Sequence, residues 1–151
     1  MRRKSLAALV LLIALGLAGG TTATAQGLGS LRSWAGKYPT ERRGRVTRKF
    51  FRLPALQTPL ARVLGKRGFD LLTREYTVET PIKQIGNYLA VKVCRPHACD
   101  TDQAGVAINL RTGAVLVRMK EGNDVRRIGY DGRYDDLPRN VQDYLEDFAA
   151  T

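Results

Sequence analysis

Residue types able to do chemistry are scarce in this sequence, and the scarcest lie together. The single histidine, His97, falls between the only two cysteines, in the run Cys94-Arg95-Pro96-His97-Ala98-Cys99. A zinc ion needs three or four ligands, and cysteines held in a disulfide cannot serve as thiolate ligands. A serine triad would need a serine beside His97, but past the N-terminal leader the only serines are Ser30 and Ser33, in a Gly- and Ser-rich segment. Carboxyl groups at Asp100, Asp102, Asp135 and Asp136 offer pairs of the kind that hydrolyse sugars, and solvated surface is the better account of them. We therefore expect no enzyme, no metal and no cofactor.

The N-terminus decides what the cysteines do. Arg2, Arg3 and Lys4 precede an apolar run from Leu6 to Leu17 and then Ala23-Thr24-Ala25, the grammar of a signal peptide cleaved before Gln26. As a helix that run would reach about 18 Å, against the roughly 30 Å of a bilayer core, so cleavage is expected rather than anchoring. No cysteine near the cleavage point could carry a lipid. The exported product is expected to be soluble and periplasmic or secreted, where Cys94 and Cys99 pair as a disulfide.

Such a bond closes a small ring. Its chain-entropy stabilisation is only about 2 kcal/mol, so its main effect is rigidity. Pro96 fixes its own φ and restricts Arg95, leaving Arg95 and His97 as the long polar side chains on the loop. Two readings stay open for it: a stapled turn with an incidental histidine, and a histidine on display.

The elements that must hold this loop are legible around it. Leu89, Val91 and Val93 alternate with Tyr88, Ala90, Lys92 and Cys94, and Ala104, Val106, Ile108 and Leu110 alternate with Gly105, Ala107 and Asn109. These are two strands of a hairpin with residues 94–103 at its tip. Arg111-Thr112-Gly113 turns into a third strand over 114–119, and Glu121-Gly122-Asn123-Asp124 into a fourth over 125–130. Residues 76–80 read as a further strand ended by Pro81. Leu56, Leu60, Val63 and Leu64 mark one face of a short helix near 59–65, with Thr58 as cap and Gly65 and Gly68 as stop; its start could lie as early as Pro54. Val141, Tyr144, Leu145 and Phe148 mark a closing helix after Pro138. The expected fold is α+β: an antiparallel β-sheet meander with short helices packed on one face. The expected organisation is a signal peptide over 1–25, a flexible lead-in over 26–36 holding Trp34, and one domain over 37–151.

Charge is unevenly placed. The formal net charge of +11 falls to +8 once Arg2, Arg3 and Lys4 are removed. Residues 37–67 carry ten basic side chains against Glu41 alone, whereas residues 100–151 are mildly acidic. Arg42, Arg43, Arg45, Arg48 and Lys49, with Phe50 and Phe51 beside them, form the kind of patch that binds polyanions. Export argues against nucleic acid, so an anionic envelope glycan or lipid is the partner such a patch would take; a solvated rim is the plainer reading.

The loop and its flanking strands resemble the inhibitor of vertebrate lysozyme family, whose hallmark is a Cys-Lys-Pro-His-Asp-Cys loop at the end of a sheet hairpin. The likeness runs from Thr80-Pro81 through Tyr88-Leu89-Ala90-Val91 and the loop to Gly113 and Val117. It implies a periplasmic inhibitor whose loop enters the cleft of a lysozyme-like hydrolase, with His97 meeting the catalytic carboxyl groups and Cys94, Pro96 and Cys99 as frame. Arg95 stands where the family has lysine and Ala98 where it has aspartate. Against a basic lysozyme a +8 protein is repelled at long range. The resemblance therefore implies either a locally acidic rim around Asp100 and Asp102, or a less basic target such as a lytic transglycosylase. Family members can also pair as homodimers, and no surface in this sequence is marked for that.

Overall fold

The computed structural model describes residues 28–148; the expected signal peptide lies outside them. Alternation at period two yields the four strands anticipated: β5 (Tyr88–Cys94), β6 (Asp102–Asn109), β7 (Val115–Glu121) and β8 (Asp124–Tyr130). They pair antiparallel in sequence, with Val91 opposite Val106, Val106 opposite Val117 and Val117 opposite Ile128. Two short strands complete the outer edge of β5. β3 (Val78–Glu79) pairs with Cys94 and Val93, and β4 (Lys83–Ile85) pairs with Ala90, Leu89 and Tyr88. Pro81 falls between them, where a missing N–H breaks no ladder.

The α+β class is as the sequence implies, but the helices cover both faces of the sheet, not one. On the first face Leu89, Val91, Val93, Val106, Val115 and Val117 pack with Leu56, Leu60 and Leu64 of α1 (Pro54–Asp70) and with Trp34 and Phe50. On the second, Ala90, Ala107 and Leu116 pack with Val141 and Leu145 of α2 (Arg139–Glu146) and with Tyr134 and Leu137. Small residues make the second face possible: a Cβ on Gly105 would sit 2.9 Å from both the Cβ and the carbonyl oxygen of Leu145. Strands β5 and β6 are consequently buried through both faces, Lys92 included. The Lys92 ammonium reaches the Asp147 carbonyl and lies 4.9 Å from the Tyr144 ring centroid, and burial lowers its pKa.

α1 starts at Pro54, with the restricted φ of proline in its first turn, and runs beyond the expected 59–65. Helical geometry does break at Gly65, whose φ of 65° only glycine adopts freely, but the chain coils on to Asp70 and closes with a wide turn over Leu71–Glu75. A separate hairpin, β1 (Thr40–Arg43) with β2 (Val46–Lys49), was not foreseen as strands. Phe50 and Phe51, placed beside the basic patch in sequence, are both buried in the core. Leu31 and Trp34, from the segment expected to be a loose lead-in, are core residues too.

Candidate functional site

The β5–β6 hairpin ends with Cys94 opposite Gln103, and the disulfide between Cys94 and Cys99 spans a Cα–Cα distance of 5.0 Å. The tip is folded on itself. The Arg95 N–H donates to the Asp102 carbonyl at 3.0 Å, that of Ala98 to Arg95 at 3.1 Å, and that of Asp102 to Ala98 at 2.7 Å. Side chains from the sheet hold two more of its carbonyls: the Gln103 amide donates to Cys99 at 3.0 Å, and the Lys120 ammonium to Asp100 at 2.5 Å. Gln103 is buried, and its own carbonyl oxygen accepts from Arg118 at 3.3 Å.

Arg95 does not project with the histidine. Its guanidinium donates to Glu75 at 2.8 Å and lies 3.8 Å from the Asp102 carboxylate, tying the loop to the wide turn after α1. Both contacts are partly solvated, so each contributes modestly to stability, but together they fix where the loop base sits. Asp102, foreseen as a rim contact, is committed to Arg95 and to the Thr101 hydroxyl at 3.3 Å. Asp100 keeps an exposed side chain beside the loop.

His97 is different. It is exposed with φ of 63°, in the left-handed region that few non-glycine residues occupy. Among the described residues its side chain makes no hydrogen bond, ion pair or ring contact. Its loop neighbours Cys94, Pro96, Ala98 and Cys99 bring no charged or amide side chain that competes for the imidazole. The sequence pointed to all six loop residues as one contact surface. The geometry divides them into a displayed histidine, a frame and an arginine that braces the frame.

The basic residues form a second location. Arg42 and Lys49 project from one face of the β1–β2 hairpin, and Arg45 lies exposed at its turn. Glu79 joins this hairpin to the sheet, accepting from the Thr40 N–H at 2.9 Å and from its hydroxyl at 2.7 Å, and β3 pairs directly with Cys94. The patch is thus next to the base of the loop but separate from its tip.

The family model for inhibitor of vertebrate lysozyme (Ivy) matches residues 55–151, which contain α1 from its second residue on, the whole six-stranded sheet, the loop and α2. The chain belongs to the Ivy family. No curated protein and no solved structure matches it. Ivy proteins are lysozyme inhibitors and not enzymes, periplasmic or secreted, and the Cys94–Cys99 disulfide fits such a compartment. The Ivy match begins after the β1–β2 hairpin, so the loop lies within the shared region and the basic hairpin outside it.

Proposed function

We propose that this chain is exported through residues 1–25 and inhibits a lysozyme or a lytic transglycosylase-like hydrolase by inserting the 94–99 loop into its active site. The observation that carries this reading is His97: exposed, in a left-handed conformation and, among the described residues, without a partner, on a loop whose other long polar side chain, Arg95, is tied to Glu75. Retaining glycosidases hold two carboxyl groups roughly 5 Å apart, and an imidazolium has two N–H donors to offer such a pair. Charge-assisted hydrogen bonds of that kind are stronger than neutral ones. Because the loop is braced before it binds, insertion loses little conformational entropy. Arg95 acts as a positioning residue, and Asp100 supplies a rim carboxylate toward a cationic target.

Inhibition assays test this directly. Purified protein is expected to inhibit at least one member of a panel of animal lysozymes and bacterial lytic enzymes at micromolar concentration. His97→Ala is expected to abolish that inhibition while leaving the circular dichroism spectrum and thermal transition in place. A wild-type protein that inhibits nothing in the panel, or a His97→Ala variant as potent as wild type, would overturn the reading.

A further inference from the structure

Between the β1–β2 hairpin, the 71–75 turn and β3 lies a cleft of about 220 Å³. Arg42, Lys49, Arg52 and Arg74 line it, against the single carboxylate of Glu79. The register explains the convergence: Arg42 is opposite Thr47 and Lys49 opposite Thr40, so the two cations share a hairpin face as diagonal neighbours. Like charges so placed disfavour a two-stranded hairpin, which is marginal by itself. Neither Arg42 nor Lys49 is in an ion pair among the described residues. Glu79, whose two oxygens are held in place by Thr40, brings one negative charge against the four cations of the lining and cannot neutralise them. Asp70 lies outside the cleft and is shared by Arg74 and Lys66.

The other walls fit a small polar ligand. Arg52 is held in place by donating to the Thr73 hydroxyl at 2.9 Å, with its guanidinium 5.7 Å from the Phe69 ring centroid. The floor is apolar, from Phe51, Leu72 and Tyr76, and Thr47 and Thr77 present exposed hydroxyls at the rim. Such a volume is below the roughly 300–1,000 Å³ of drug-sized pockets, so it suits one anionic group with its immediate attachment. Three planar guanidinium forks, an ammonium and hydroxyls offer more donors than the two oxygens of a carboxylate accept, whereas a phosphate monoester brings three oxygens and a charge near −2.

We infer that this cleft is a binding site for a phosphate group, free or borne on a sugar or lipid headgroup, with Arg42, Lys49, Arg52 and Arg74 as its ligands. Arg42, Lys49 and Arg52 lie before the residues that the Ivy model matches and Arg74 within them, and the cleft shares no residue with the 94–99 loop, so the assignment does not depend on the inhibitor reading.

Calorimetric titration of the purified protein with inorganic phosphate, a hexose 1-phosphate and glucuronate tests it, alongside sedimentation with phosphatidylcholine vesicles containing phosphatidic acid. At least one phosphate probe is expected to bind with one-to-one stoichiometry, and glucuronate at least about tenfold more weakly, the difference of one charge-assisted hydrogen bond. Binding to the soluble esters identifies a free or sugar phosphate, and binding to the vesicles alone identifies a headgroup. Arg42→Glu with Lys49→Glu is expected to weaken the bound probe by at least about tenfold. The milder pair Arg42→Gln with Lys49→Gln is expected to weaken it in the same direction if the charge reversals impair folding. A control pair remote from the cleft, Arg111→Glu with Arg139→Glu, is expected to leave it unchanged. No binding in any phosphate arm, equal affinity for glucuronate, or equal loss in the control pair would each overturn the assignment.

Discussion

At the scale of single residues, His97 is held where its own backbone is unfavourable. A left-handed φ costs a side chain with a Cβ roughly 1–2 kcal/mol, which glycine avoids. His97→Gly is accordingly expected to unfold at a temperature no lower than wild type while losing inhibition, a combination that a packing histidine would not give. Differential scanning calorimetry beside an inhibition assay reads both; a destabilised His97→Gly would contradict the strain. Arg95 makes the complementary case. Arg95→Ala removes the contacts to Glu75 and Asp102, and we expect inhibition to weaken by roughly tenfold with less than about 1 kcal/mol of lost stability, since both partners are partly solvated. Unaltered inhibition would remove Arg95 from its positioning role. That His97 sits on a disulfide-closed hairpin tip was legible because cysteine and proline carry local meaning at fixed spacing, whereas a contact role for it came only from the family resemblance. The Arg95–Glu75 contact was not, because it joins residues far apart in sequence with no periodic pattern to link them.

At the scale of elements, the close approach of α2 to β6 is the feature most exposed to a test. Gly105→Ala would place a methyl group 2.9 Å from Leu145, and overpacking of this kind costs about 1–3 kcal/mol. Urea denaturation is expected to show that loss; a change within about 0.5 kcal/mol would mean that α2 moves away freely. The meander was legible because its strands alternate apolar and small or polar residues. The covering of its second face was not. Ala90, Gly105 and Ala107 look like a weak exposed face when each strand is read alone, yet their smallness is what admits a helix. The β1–β2 hairpin escaped notice for the opposite reason: apart from Val46 its strand residues are charged or hydroxylic, and without an apolar face its period of two carries no hydrophobic signal.

At the scale of the whole molecule, two buried phenols set an alkaline limit. Burial, reinforced by nearby carboxylates, pushes Tyr76 and Tyr134 up to about 12. The unfolded chain releases these protons near pH 10 while the folded chain keeps them, so stability is present in full below pH 10 and falls as pH rises toward 12. Denaturation midpoints measured across that range are expected to decline. Tyr134→Phe is expected to flatten the decline, and an unchanged slope would contradict the assignment for that residue. The same whole-molecule view separates two surfaces on one chain: a loop with a displayed imidazole inside the Ivy-matched residues, and a cationic cleft that straddles their N-terminal boundary, with Arg42, Lys49 and Arg52 before it and Arg74 and Glu79 within it.

The central claim is that His97 meets the catalytic carboxyl groups of the target. A double-mutant cycle tests it most directly, combining His97→Ala with a neutral amide in place of the target's catalytic glutamate and measuring all four dissociation constants. A coupling energy of about 1.5–3 kcal/mol, the range for a hydrogen bond to a charged group, is the expected result. Losses that simply add, within about 0.5 kcal/mol, would mean that the two groups never touch and would contradict the claim.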